Sequence, residues 1–131
     1  GSRDICKKLG LKAGAALLRL EMVRLADRTP ICVATTWMSA DRFEGADRVY
    51  ARFRSITKTL AHFDVRDYRR KSTQITAAIS DATDASQLAL PFGGPVLIVD
   101  STDVDVDGVP LLSTHARFSA ERVAFLVENN S

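Results

Sequence analysis

The sequence predicts an α+β fold, an antiparallel sheet with short helices packed on one side. Three observations carry that reading. Apolar and polar residues alternate with period two over several stretches, each bounded by turn residues. The helical stretches between them are short, and they precede or interrupt hairpins; no strand–helix–strand rhythm repeats. The length of 131 residues, with 46% hydrophobic content, suits one domain around one core.

Asp4 to Leu9 forms a short helix candidate, with Gly10 placed to stop it. Lys12-Ala13-Gly14 is a turn. From Leu17 to Leu25, the residues Leu18, Leu20 and Met22 fall on one face, with Arg19 and Glu21 on the other. Arg24 continues the apolar register. It either needs a partner on the inward face or sits at a fraying strand end and reaches out to water. Ala26-Asp27-Arg28-Thr29 turns the chain, and Ile31 to Met38 pairs back as a hairpin. Ser39 to Arg42 starts a short helical segment that Gly45 interrupts.

The next helical region has two readings. Val49, Phe53, Ile56, Leu60 and Phe63 are spaced as one uninterrupted amphipathic helix would space them. Alternatively, Ser55 caps a new helix that ends near Phe63. The cations Arg54 and Lys58 would then sit at its positive pole, where an anion between them would make the arrangement favourable. Lys58 occupies the position where a capping box would place Glu or Gln.

Arg66 to Lys71 is the one basic cluster, and it runs into a long strand through Ile79. Strict alternation places Tyr68, Arg70 and Ser72 on the face opposite Ile75. Asp84 to Leu90 is a short helix capped by Asp81, Thr83 or Asp84 and closed by Pro91. Pro95 to Val106 is a buried strand, Asp107-Gly108 a hairpin turn, and Pro110 to Phe118 the return strand. Val123 to Val127 reads as a last apolar strand.

Composition excludes several classes. A formal net charge of +2 is far from the basic excess of a nucleic-acid binder. No apolar run approaches the length of a membrane span. Cys6 and Cys32 form no ligand spacing, and their use fits a reducing, cytoplasmic setting. Asp103 to Gly108 has the opening of a calcium loop, but Thr114 stands where the bidentate Glu belongs and Pro110 interrupts the run. His62 and His115 have no companions at metal-ligand spacing. No Ser lies in a nucleophile elbow, and no glycine-rich phosphate loop is present. Neither a cofactor nor a catalytic site is expected.

An ordered series of short motifs resembles one family. Leu9-Gly10-Leu11 with Gly14 comes first, then Leu18 to Leu25 closed by Ala26 to Ile31. Ser55-Ile56-Thr57 opens a helix. There follow Ala85 with Leu88, Gly94 to Leu97, Asp107 to Pro110, and Arg117-Phe118 with Glu121-Arg122-Val123. The series resembles the UTRA domain, the effector-binding domain of GntR-type bacterial transcription regulators. His62 to Arg70 is most similar to the phosphonate-utilisation repressors.

The resemblance implies a chorismate-lyase-like fold with a curved antiparallel sheet, and a homodimer built partly through its strands. It implies that Ser55 is a helix cap, and that Ser55 and Thr57 hold the phosphate of a phosphorylated effector together with Arg24. Lys58, Arg70, His115 and Arg117 are further candidates for the same anion. The two acidic positions with which relatives read a sugar match Ala34 and Leu112, which turns the expectation from a sugar phosphate towards a small phosphonate or phosphate compound. The family also carries an N-terminal winged helix that binds operator DNA. Gly1-Ser2 reads as a tag scar before a UTRA-like domain over 3–131, with DNA binding left to the parent protein. A lyase on the same fold, or a dimerisation module with a vestigial pocket, are the alternatives.

Overall fold

A computed structural model describes residues 2–128. Among the described residues, four helices, α1 (Ser2–Lys8), α2 (Ala46–Phe53), α3 (Ile56–His62) and α4 (Ala82–Gln87), accompany five strands. The strands are β1 (Leu17–Ala26), β2 (Thr29–Ser39), β3 (Tyr68–Ile79), β4 (Pro95–Asp105) and β5 (Pro110–Ser119). They form one curved antiparallel sheet in the order β1-β2-β5-β4-β3. The expected α+β fold is therefore what forms.

The helices, expected on one side, divide between the two faces. Cys32 to Thr36 of β2 is buried at every position. A strand covered on one side only would alternate. On one face, α2 and α3 close over Leu20, Met38, Phe43, Leu60 and Leu112. Phe43 meets Phe63 edge to face at 5.4 Å. On the other, Leu88 at the end of α4 packs with Val33 and Val96, and α1 lies against Trp37, Ser113 and His115. Both faces of β2 carry apolar residues, and each needs a cover.

Strict alternation fails in β3. The pairing of β3 with β4 slips between Arg70 and Ser72. This bulge leaves Lys71 unpaired and reverses the parity of the residues before it. Arg70 pairs with Asp103, Thr73 with Ser101 and Ile75 with Val99. Tyr68 and Arg70 therefore share the face of Ile75, and only Ser72 takes the opposite one.

Two further expectations are corrected. Residues 40–45 form consecutive turns, not a helical segment, with the Arg42 N–H donating to Ser39 Oγ at 3.2 Å. Helix α2 starts only after Gly45, whose φ of 83° suits glycine. Val123 to Glu128 has no strand pairing; Phe125 instead packs edge to face on Phe118 at 5.0 Å. A strand needs a free sheet edge beside it, and that segment finds an aromatic side chain first.

The run from Asp103 to Gly108 is strand and hairpin. Asp105 Oδ1 accepts from the N–H groups of Asp107 at 2.9 Å and Val109 at 3.0 Å. Those bonds, Val109's first, with the Arg42 guanidinium beside them, hold the Asp105 carboxyl below the usual carboxylate range.

The hairpin between β1 and β2 turns through Asp27 and Arg28, with φ of 48° and 71°. Positive φ at both positions matches the twist of the flanking strands but strains a side-chain-bearing residue. Arg28→Gly should raise stability by about 0.5–1 kcal/mol, read as a higher urea midpoint at unchanged slope; a lower midpoint would show that the turn carries no strain.

Candidate functional site

The helical region breaks at Arg54. Its φ of 54° is left-handed, and its N–H still closes the previous helix on Tyr50 O at 2.7 Å. Ser55 is extended, with φ −143° and ψ 125°. Its Oγ accepts from the Lys58 N–H at 3.2 Å, and its carbonyl accepts from Thr59 N at 3.0 Å. Ser55 is thus an N-cap, and the single-helix reading is overturned. The apolar spacing persists across the break because both helices pack on the same side of the sheet, as Tyr50, Ile56 and Leu60 all join one cluster. Thr57 Oγ1 and Tyr68 Oη lie 2.8 Å apart, tying this helix start to the edge strand β3.

Two adjoining hollows share Met22, Arg24 and Ile56. The outer one, an open groove of roughly 730 Å³, is lined by Arg24, Arg54, Ser55 and Thr57. The inner one, of roughly 340 Å³, runs under it along the sheet and is lined by Arg24, Arg70, Tyr68, Asp103 and the Thr36–Thr114 pair, among others. Arg24 makes no hydrogen bond or ion pair among the described residues. It therefore neither pairs inward nor leaves the face; it stands as a cation where the two hollows meet. Glu21 also borders the groove, but its carboxylate is engaged by Arg19 at 2.6 Å and Thr35 Oγ1 at 2.9 Å.

Four expected residues come together, Arg24, Ser55 and Thr57 at the groove and Arg70 in the inner hollow. Three do not. Lys58 lines neither hollow; it contributes its N–H to the Ser55 cap. His115 points to the opposite face, its Nδ1 bonded to Asp100 Oδ1 at 2.7 Å beneath α1. Arg117, 8% exposed, is also on that face. It holds α4 to the sheet through Asp84 at 3.1–3.2 Å, and donates to Thr35 Oγ1 at 2.9 Å. The parity of β5 decides this. Thr114, Ala116 and Phe118 face the hollow, so His115 and Arg117 cannot.

Sequence reasoning missed Asp103, Ser101, Thr36 and Thr114. A usable signal was hydroxyls and a carboxylate in an otherwise apolar strand register. Cys32 also lines the inner hollow but is 2% exposed. Burial pushes its thiol pKa up against the opposing pull of Arg24 and Arg117, so it stays a neutral filler. Among the described residues, no three His, Cys, Asp or Glu side chains gather to hold a metal, and no helix is long and apolar enough to cross a membrane.

The curved antiparallel sheet with its short helices matches what comparison with known proteins finds. Residues 2–124 match the UTRA domain family, and the chain belongs to it. The chain is 34% identical over 127 residues to an uncharacterised HTH-type transcriptional regulator, RB1450, of Rhizobium meliloti strain 1021, covering 97% of this chain and 52% of that protein. It is 25% identical over 117 residues to the HTH-type transcriptional repressor PhnF of Mycolicibacterium smegmatis, covering 89% of this chain and 48% of that one. The chain thus spans about half the length of these relatives. In fold it is similar to the C-terminal domain of Yurk from Bacillus subtilis, with a TM-score of 0.90 at 19% identity over 98% of this chain and 88% of that one.

The placement of Arg117 predicts a structural role. Asp84→Ala should cost about 3 kcal/mol in urea unfolding by leaving a buried guanidinium without its anion, and should leave anion affinity at the groove unchanged. A loss below about 1 kcal/mol would mean that the pair contributes little more than a surface ion pair.

Proposed function

We propose that this chain is the ligand-sensing and dimerisation domain of a transcription regulator, and that it binds a small phosphonate or phosphate-containing effector. The observation that carries this is the convergence of the unpaired Arg24, the Ser55 and Thr57 side chains and the start of α3 on one groove. A tetrahedral oxyanion accepts from guanidinium, hydroxyl and backbone N–H groups together. Arg54 adds a second cation at the rim, and the one nearby carboxylate, Glu21, is already engaged. The resemblance of His62 to Arg70 to the phosphonate-utilisation repressors supports a phosphonate or phosphate ligand in preference to a sugar phosphate, as does the apolar character of Ala34 and Leu112 at the two positions where the resemblance implies acidic, sugar-reading residues.

Sensing and not turnover is the proposed activity. Effector binding would bias a homodimer between two arrangements and so set the spacing of DNA-binding domains elsewhere in the full-length regulator. An exposed β3 supports the dimer: it is an edge strand of 12 residues, with Ile75 46% and Ile79 77% exposed. A long unpaired edge invites pairing with another strand.

Thermal unfolding with methylphosphonate, inorganic phosphate, a sugar phosphate and chorismate tests the proposal. At about a hundred times its dissociation constant, a ligand of the folded state adds about 2.7 kcal/mol. Ser55→Ala and Arg24→Ala should each abolish the shift, whereas Lys58→Ala should keep it. Silence across the panel would sink the sensor reading, and a response to chorismate alone would favour a lyase-like pocket.

A further inference from the structure

We propose that the effector is a zwitterion: its anion sits at the groove, and a protonated amine at its other end is received by Asp103 in the inner hollow. This deepens the proposed function and rests on the anion site described there.

The strand register sets side chains in rows across the hollow. One row is small and apolar, with Ala34 paired to Ala116 and Ala116 to Val99. The next is hydroxylic, with Thr36 paired to Thr114, Thr114 to Ser101 and Ser101 to Thr73. The last pairs Leu112 with Asp103 and Asp103 with Arg70. The alanines leave room above the sheet, and the polar rows give that room a direction, from Arg24 at one end to Asp103 at the other.

Asp103 is the only carboxylate lining the inner hollow among the described residues. It is 7% exposed, and its Oδ1 accepts from Arg70 Nε at 2.9 Å. Its Oδ2 has no hydrogen-bond partner among the described residues. The two partners are unequally buried, with side-chain exposures of 9% for Asp103 and 52% for Arg70. A desolvated carboxylate is thus served by one N–H of a cation that is half in water, and a buried charge so poorly paired is costly. An ammonium group corrects this. It brings three donors and a positive charge, and Asp103 Oδ2 and the hydroxyls of Ser101 and Thr114 are acceptors for them. The charges also match. The hollow holds Arg24 and Arg70 against Asp103, and a dianionic phosphonate bearing one ammonium has the opposite net charge.

Calorimetric titration of this chain tests the assignment, using aminoethyl-, aminopropyl- and aminobutylphosphonate beside the alkylphosphonates and hydroxyalkylphosphonates of equal length. For at least one length the amine should bind about tenfold or more tightly than both counterparts, as a charge-assisted bond in a desolvated site requires. Asp103→Asn should bring the amine down to the alkyl compound and leave the alkyl compound unchanged. Arg70→Gln removes the competing cation and should widen the ratio. If wild type binds alkylphosphonates and amines equally, or prefers the hydroxyl series, the amine assignment falls while the anion site stands. If no phosphonate binds, the underlying sensor reading falls and this assignment with it. If Asp103→Asn does not fold, the wild-type ratios and Arg70→Gln still decide. A ratio near one in either overturns the proposal.

Discussion

Pairing between β2 and β5 is the constraint on which the rest depends. The six pairs from Cys32↔Phe118 to Trp37↔Ser113 join the β1–β2 hairpin to the β5-β4-β3 half of the sheet. The two halves are far apart in sequence, so this ladder is the non-local contact that must form for a single sheet to exist. It buries β2 on both faces and so commits the helices to both. It also fixes which residues share a row, and a slip of one residue would exchange the two faces entirely.

From that register the functional asymmetry follows. One face of the sheet carries a row of small residues and a row of hydroxyls, and is closed by α2 and α3. The other carries Arg117 and Asp84, a buried ion pair that clamps α4, and His115 with Asp100 beneath α1. The face with Arg117 pairs its guanidinium with the Asp84 carboxylate, which holds the fold. On the other Arg24 is left without a partner, at the point where a capped helix start meets the sheet. A free guanidinium is affordable there because Arg24 is exposed to water.

Much of this was legible in the sequence. Period-two alternation located the strands, Pro91 marked the close of a helix, and the motif series placed the helix start at Ser55. The cap itself was ambiguous from spacing alone, since α2 and α3 present their apolar residues to one sheet and so preserve a helical periodicity across a break. The site residues divided the same way. Ser55, Thr57 and Arg24, expected together from the resemblance, do line one groove. His115 and Arg117, named as further candidates, lie on the opposite face, because composition marks a side chain as a possible anion ligand without saying which way it points. Asp103 was passed over because its alternation with valines read only as strand.

The sequence by itself determined the class of fold and the order of most of its elements, because these follow from local periodicity and turn chemistry; the helix cap came from the family resemblance, since spacing left it open. Tertiary structure decided the face of each side chain. One unpaired residue, Lys71, reversed the parity of Tyr68 and Arg70 and brought them to the hollow, and the segment from Val123 to Glu128 stayed out of the sheet. Both depend on which strand lies alongside, and pairing partners distant in sequence leave no trace in the alternation of a single strand.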